Sequence, residues 1–126
     1  MVTALALRLM DGPFVWGQAD CCTAACDVFA ALTGTDPMAP LRGRYSTERG
    51  ALRIIRRAGG WHALIDALAA GAGLARCAPA AGALTLVRTQ AGLALGVVIE
   101  SGMIAAKAAD GAAILPADHG IGPCRR

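Results

Sequence analysis

The stretch Phe14–Phe29, reading Phe-Val-Trp-Gly-Gln-Ala-Asp-Cys-Cys-Thr-Ala-Ala-Cys-Asp-Val-Phe, does most to limit what this chain can fold into. Its first half is an aromatic–glycine turn. Its second half carries helical spacing, because Cys22, Cys26, Phe29 and Thr33 fall at i, i+4, i+7 and i+11, with Ala25 and Leu32 beside them. Asp20 stands where a helix beginning at Cys21 needs an N-cap, and Gly34 supplies its stop. Cys21 lies about 100° from the apolar stripe. It is therefore expected to face a cleft, while Cys22 and Cys26 pack inward as small hydrophobes. A thiol at a helix start meets unpaired N–H groups and the positive end of the dipole, which favour thiolate. Cys21 is thus a candidate nucleophile.

The rest of the chain arranges itself around that helix. Val2–Met10 predicts a short helix with Thr3 as a possible N-cap, ended by Asp11-Gly12-Pro13. Thr35–Tyr45 reads as a surface loop. A third helix is expected over Thr47–Ala58, capped by Ser46, with Leu52 and Ile55 on its apolar stripe and Arg49, Arg53, Arg56 and Arg57 on its basic side. That basic side is either a solvated face or a contact for acidic neighbours in an assembly. Gly59-Gly60 separates it from a fourth helix, Trp61–Ala70. Beyond Gly71–Gly73 come short apolar segments, Leu74–Ala78, Ala83–Arg88, Leu93–Glu100 and Met103–Lys107. Ser101-Gly102 marks a hairpin turn, Ala112–Leu115 a last short strand, and Asp118–Arg126 an irregular tail. Helices followed by an antiparallel meander give an α+β domain spanning residues 1–126.

Composition narrows the function classes. The net charge of +3 is too mild to argue for nucleic-acid binding. No apolar run reaches the ~18–20 residues of a membrane span. Neither a basic n-region nor a small-residue cleavage site is present, so synthesis and folding in a cytoplasm are expected, with the five cysteines as reduced thiols. Cys21, Cys22, Cys26, Cys77 and Cys124 raise the question of a zinc or iron–sulfur site, but Cys-Cys-x3-Cys fits neither spacing well, and no cofactor is expected. Arg42 and Arg44 beside Tyr45 form a candidate contact patch, since Arg and Tyr are favoured at interfaces. Trp16 and Asp20 flank Cys21 as candidate binding residues, and Trp16 and Trp61 also read as core anchors.

Aromatic-x-Trp-Gly followed by Asp-Cys at the head of an apolar helix resembles the NlpC-type cysteine peptidases, small papain-like enzymes that cut peptidoglycan stem peptides. The chain resembles more closely a group of short proteins of unknown function from tailed phages and gene-transfer-agent clusters. The residues that carry this likeness are Phe14-Val15-Trp16-Gly17, Asp20-Cys21, Thr33-Gly34-Thr35-Asp36-Pro37, Arg42-Gly43-Arg44-Tyr45 and Arg57-Ala58-Gly59-Gly60. The resemblance implies a papain-like fold with N-terminal helices packed on a small antiparallel sheet.

It also implies a catalytic histidine at the head of a His-Val-Gly-Ile strand and an orienting polar residue on the next strand. The matching positions here are Ala94 and Ala105. A thiol needs an imidazole base, and the chain has only His62, which opens a helix, and His119, in the tail. The expectation is therefore a virion tail-tip protein that works by binding other tail-tip and hub proteins, made in the host bacterial cytoplasm. The alternative is an active peptidoglycan-cleaving peptidase or amidase with Cys21 as nucleophile and a base from His119, His62 or a partner chain. A thiolate-metal protein is the third reading.

Overall fold

The computed structural model describes residues 1–126. Four helices come first: α1 (Val2–Leu9), α2 (Cys21–Thr33), α3 (Glu48–Ala58) and α4 (Trp61–Gly71). Six strands follow: β1 (Arg76–Cys77), β2 (Leu84–Thr89), β3 (Gly92–Val98), β4 (Ile104–Lys107), β5 (Ala112–Leu115) and β6 (Gly120–Arg125). They form one antiparallel sheet in the order β1-β6-β2-β3-β4-β5, so the α+β layout holds.

The tail corrects the sequence-based expectation. Residues 120–125 form an interior strand that fills the gap between β1 and β2, where an irregular end was predicted. Gly120, Gly122 and Pro123 weaken its local signal. Its place is fixed by partners on both sides, including the Cys77–Cys124 and Leu84–Arg125 registers. Arg125 is itself buried, and its guanidinium donates to Asp66 on α4, tying strand to helix.

α2 is the central helix. It packs on β3 and β4 and against α1. Cys22, Cys26, Val28 and Phe29 are buried in the main core together with Leu64, Leu86, Leu95 and Val97. Thr33, expected on the same stripe, is exposed; its hydroxyl turns back to the Phe29 carbonyl at 2.8 Å in the last helical turn. The opposite side chains of the same strands make a second, small-residue core of Ala83, Val87, Ala94, Val98, Ile104, Ala106 and Cys124. A Cβ on Gly96 would stand 2.6 Å from Ile104 Cγ2, and one on Gly120 would stand 3.1 Å from Ile104 Cδ1. One side chain of β4 thus touches both its neighbour β3 and the more distant β6, which requires the sheet to curl around it.

The termini of the helices are held by polar groups the local sequence only partly reveals. α1 has no cap of its own. Glu100, in the β3–β4 turn, accepts from the N–H groups of Val2 (2.7 Å) and Thr3 (2.8 Å) and from the Thr3 hydroxyl (2.6 Å). The helix predicted from Thr47 starts one residue later, with Thr47 and not Ser46 as the N-cap, its side chain accepting from Gly50 N–H.

Candidate functional site

The site is built at the start of α2. Asp20 is almost fully buried, and each of its carboxylate oxygens is used. Oδ1 accepts from the Thr23 N–H (2.9 Å) and hydroxyl (3.1 Å), while the Asp20 N–H donates to Thr23 Oγ1, closing a reciprocal capping box. Oδ2 accepts from the Gly17 N–H at 2.8 Å and from the Tyr45 hydroxyl at 2.5 Å. The turn before it closes through Val15 and Ala19. Gly17 is required there twice over: its φ is +82°, and a Cβ would collide with the Tyr45 carbonyl oxygen.

This framework presents Cys21 as the first residue of α2, half-buried and off the core stripe. The adjoining Cys22 thiol and the Leu95 backbone lower its pKa against the opposing effects of burial and the Asp20 carboxylate. The same contact and complete burial push Cys22 well up, and burial pushes Cys26 up to about 12. Of the three α2 cysteines, Cys21 alone is shifted toward thiolate.

Cys21 opens into a cavity of about 600 Å³. Phe14 and Trp16, packed edge to face with centroids 4.8 Å apart, form one end with Tyr45. The apolar side of α3 (Ala51, Leu52, Ile54, Ile55) and Trp61 of α4 form one wall. The ends of β3, β4 and β5 form the other, with Ala94, Ala106, Ala113 and Leu115. The lining is mostly apolar, and no imidazole belongs to it.

Of the positions expected to hold a base and its partner, Ala94 does face this cavity. Ala105 does not: it is fully buried in the main core, and strand alternation puts Ala106 beside Ala94 instead. Cross-strand pairing of Gly96 with Ala106 fixes that relation. The two histidines lie elsewhere. His119 Nδ1 is 3.2 Å from the Arg88 carbonyl oxygen, on the exposed 3₁₀ turn before β6. His62 is exposed on α4, with its ring against Gly122. The structure therefore brings neither histidine into the lining around Cys21.

The candidate binding residues also separate. Trp16, Asp20 and Tyr45 line the cavity, with Asp20 and Tyr45 committed to each other. Arg42 is used internally: its guanidinium donates to Asp36 at 2.7 Å and to Asp27 at 2.7 Å, and these carboxylates hold its pKa above the usual value. Arg44 is exposed. A residue the sequence reading passed over is Lys107. It is buried at the end of β4, lines the cavity, and donates to the carbonyls of Gly12 (2.6 Å) and Ala108 (2.8 Å); burial lowers its pKa. The only signal was a single lysine closing an apolar strand.

All five cysteines are free, and no three His, Cys, Asp or Glu side chains gather into a group that could hold a metal ion. No helix is long and apolar enough to cross a membrane.

Residues 2–121 match the model of a protein family described as a domain of unknown function, DUF6950. The chain belongs to that family. No curated protein and no solved structure matches it. In this member of the DUF6950 family, then, the matched region contains the whole Cys21 cavity.

Proposed function

We propose that this chain is a non-catalytic assembly protein of a phage or gene-transfer-agent tail tip, built on an NlpC-type, papain-like scaffold whose substrate cleft has become a binding groove. The observation that carries the reading is the pairing of Cys21 with alanines: Ala94 and Ala106 line the cavity with it, where proton transfer would need an imidazole. The Asp20–Cys21 helix start and the order of helices before an antiparallel sheet support the scaffold assignment. The apolar lining supports binding over hydrolysis, because a groove of this size takes up apolar side chains without any proton transfer. The partners are other tail-tip and hub proteins. The tail assignment itself rests on the sequence resemblance.

The test is to look for the chain in purified particles made by the genome that encodes it, and to delete it. The reading expects the chain among the particle proteins, defective tails on deletion, and full rescue by Cys21→Ala. Normal infectious or transducing particles after deletion, or rescue that requires the Cys21 thiol, would overturn it.

A further inference from the structure

The helix that walls the cavity is the least buried of the four α-helices. None of the residues of α3 is buried, and Leu52 is 47% exposed at its boundary. At 100° per residue, taking Glu48 as zero, Ile54, Ala51, Ile55, Glu48 and Leu52 span about 240° to 40° and face the cavity. Arg56, Arg49, Arg53 and Arg57 follow without a gap from about 80° to 180°. The apolar wall and the cationic stripe are thus adjacent faces of one helix, meeting at Leu52. Glu48 and Leu52 border the cavity and stand beside the exposed row of Arg49, Arg53 and Arg56 on the same helix. None of these four arginines makes an ion pair, whereas Arg42 and Arg125 elsewhere do. Arg49, Arg53 and Arg56 are spaced i, i+4 and i+7, which aligns them on one line along the helix.

We infer that the groove beside α3 docks an acidic amphipathic helix of a partner protein. Its apolar side chains enter the Leu52–Ile55–Trp61 cavity, and its carboxylates, at the same i, i+4, i+7 spacing, meet Arg49, Arg53 and Arg56. This deepens the binding reading above and rests on the cleft being a groove and not a catalytic site. Charge complementarity points to the occupant: an apolar cavity of this size accommodates apolar side chains, and the exposed arginines along its lip, none of them in an ion pair, offer a cationic row to carboxylates. A second copy of the chain cannot supply such a helix. Of the nine acidic residues, Asp20, Asp27, Asp36, Asp66 and Glu100 are engaged internally, and Asp11, Glu48, Asp110 and Asp118 are scattered over different elements.

The experiment measures binding of a fluorescent designed helix bearing Leu and Phe on one face and Glu at i, i+4 and i+7 on the flank. A twin carrying Lys at those Glu positions, a scrambled acidic peptide, a short DNA duplex and anionic phosphatidylglycerol vesicles are titrated alongside. The Glu helix is expected to bind at least tenfold more tightly than the Lys twin or the scramble, and to weaken with salt. Arg49→Glu/Arg53→Glu/Arg56→Glu should reverse the Glu-over-Lys preference, and Leu52→Asp should weaken the Glu helix by at least tenfold, with circular dichroism confirming that both variants are folded. Equal affinity for the Glu and Lys helices, tighter binding of DNA or vesicles, or self-association on sedimentation that blocks the peptide would overturn the inference. Its failure is distinct from failure of the assembly reading: that one falls by Cys21-dependent rescue or by dispensability in particles, whatever the peptide does.

Discussion

The hydroxyl of Tyr45 donates to Asp20 Oδ2 across 2.5 Å, and the two residues are 25 positions apart. That bond joins the loop before α3 to the N-terminus of α2. It also raises the tyrosine pKa, through burial of the ring and the adjoining carboxylate. Asp20 is thus both the cap of the cysteine helix and the anchor of the loop that roofs the cavity.

Replacing Asp20 with Ala removes the cap and leaves the Thr23 and Gly17 N–H groups and the Tyr45 hydroxyl without their acceptor. A lost cap and buried unmet donors together cost about 3 kcal/mol. For a domain of this size that lowers the melting temperature by roughly 10 °C. Tyr45→Phe, which leaves the cap intact, should cost about half as much, about 1.5 kcal/mol, as the loss of one hydrogen bond to a charged group. Thermal melts of the two variants check the ranking; Tyr45→Phe as damaging as Asp20→Ala would contradict it.

The fold and the site were legible in the sequence to different degrees, and the reasons are physical. The start of α2 could be read because its determinants are local: Asp20, Thr23 and the cysteine stripe lie within a few residues of each other. Strand β6 could not, since Gly120, Gly122 and Pro123 are poor strand formers and only pairing with β1 and β2 extends them. The Glu100 cap of α1 was equally hidden, lying 97 and 98 residues from the groups it binds. At the site, Ala94 was found by matching its strand to the pattern of the resembling peptidases, whereas the choice between Ala105 and Ala106 depends on a cross-strand register that the sequence does not carry.

Glu100 makes the α1 anchor pH-sensitive. Its hydrogen bonds from Thr3 and Val2 lower its pKa from 4.5 to about 2. A depressed carboxylate pKa contributes stability that is full above the unfolded value and disappears as pH falls through the folded one. The melting-temperature difference between wild type and Glu100→Gln should therefore be constant from about pH 5 to neutral pH and shrink between about pH 4.5 and 2. A difference unchanged across that window would disprove the assignment.

The cysteines should differ sharply in reactivity. In a Cys77→Ser background, iodoacetamide at neutral pH should modify Cys21 well before Cys22, Cys26 or Cys124, whose pKa values are all raised. Cys22→Ala removes the neighbouring thiol that favours the Cys21 thiolate and should slow that modification. Peptide mapping by mass spectrometry reads both results; faster labelling after Cys22→Ala would refute that role.

Arg42 should behave as a structural clamp between α2 and the following loop. Arg42→Ala leaves Asp27 and Asp36 facing each other without their cation, at a partly exposed site where about 1–2 kcal/mol is expected. Arg42→Lys should recover only part of it, since a single ammonium cannot reproduce the fork between two carboxylates. Denaturant titration of both variants gives the comparison, and full recovery by lysine would show that charge alone matters.

The proposed assembly role requires that the Cys21 cleft bind without hydrolysing. Its most direct measurement is release of product from peptidoglycan stem peptides by the wild-type chain, compared with Cys21→Ala, across neutral pH. The account expects no turnover above background from either protein. Cleavage by the wild type that vanishes in Cys21→Ala would contradict it.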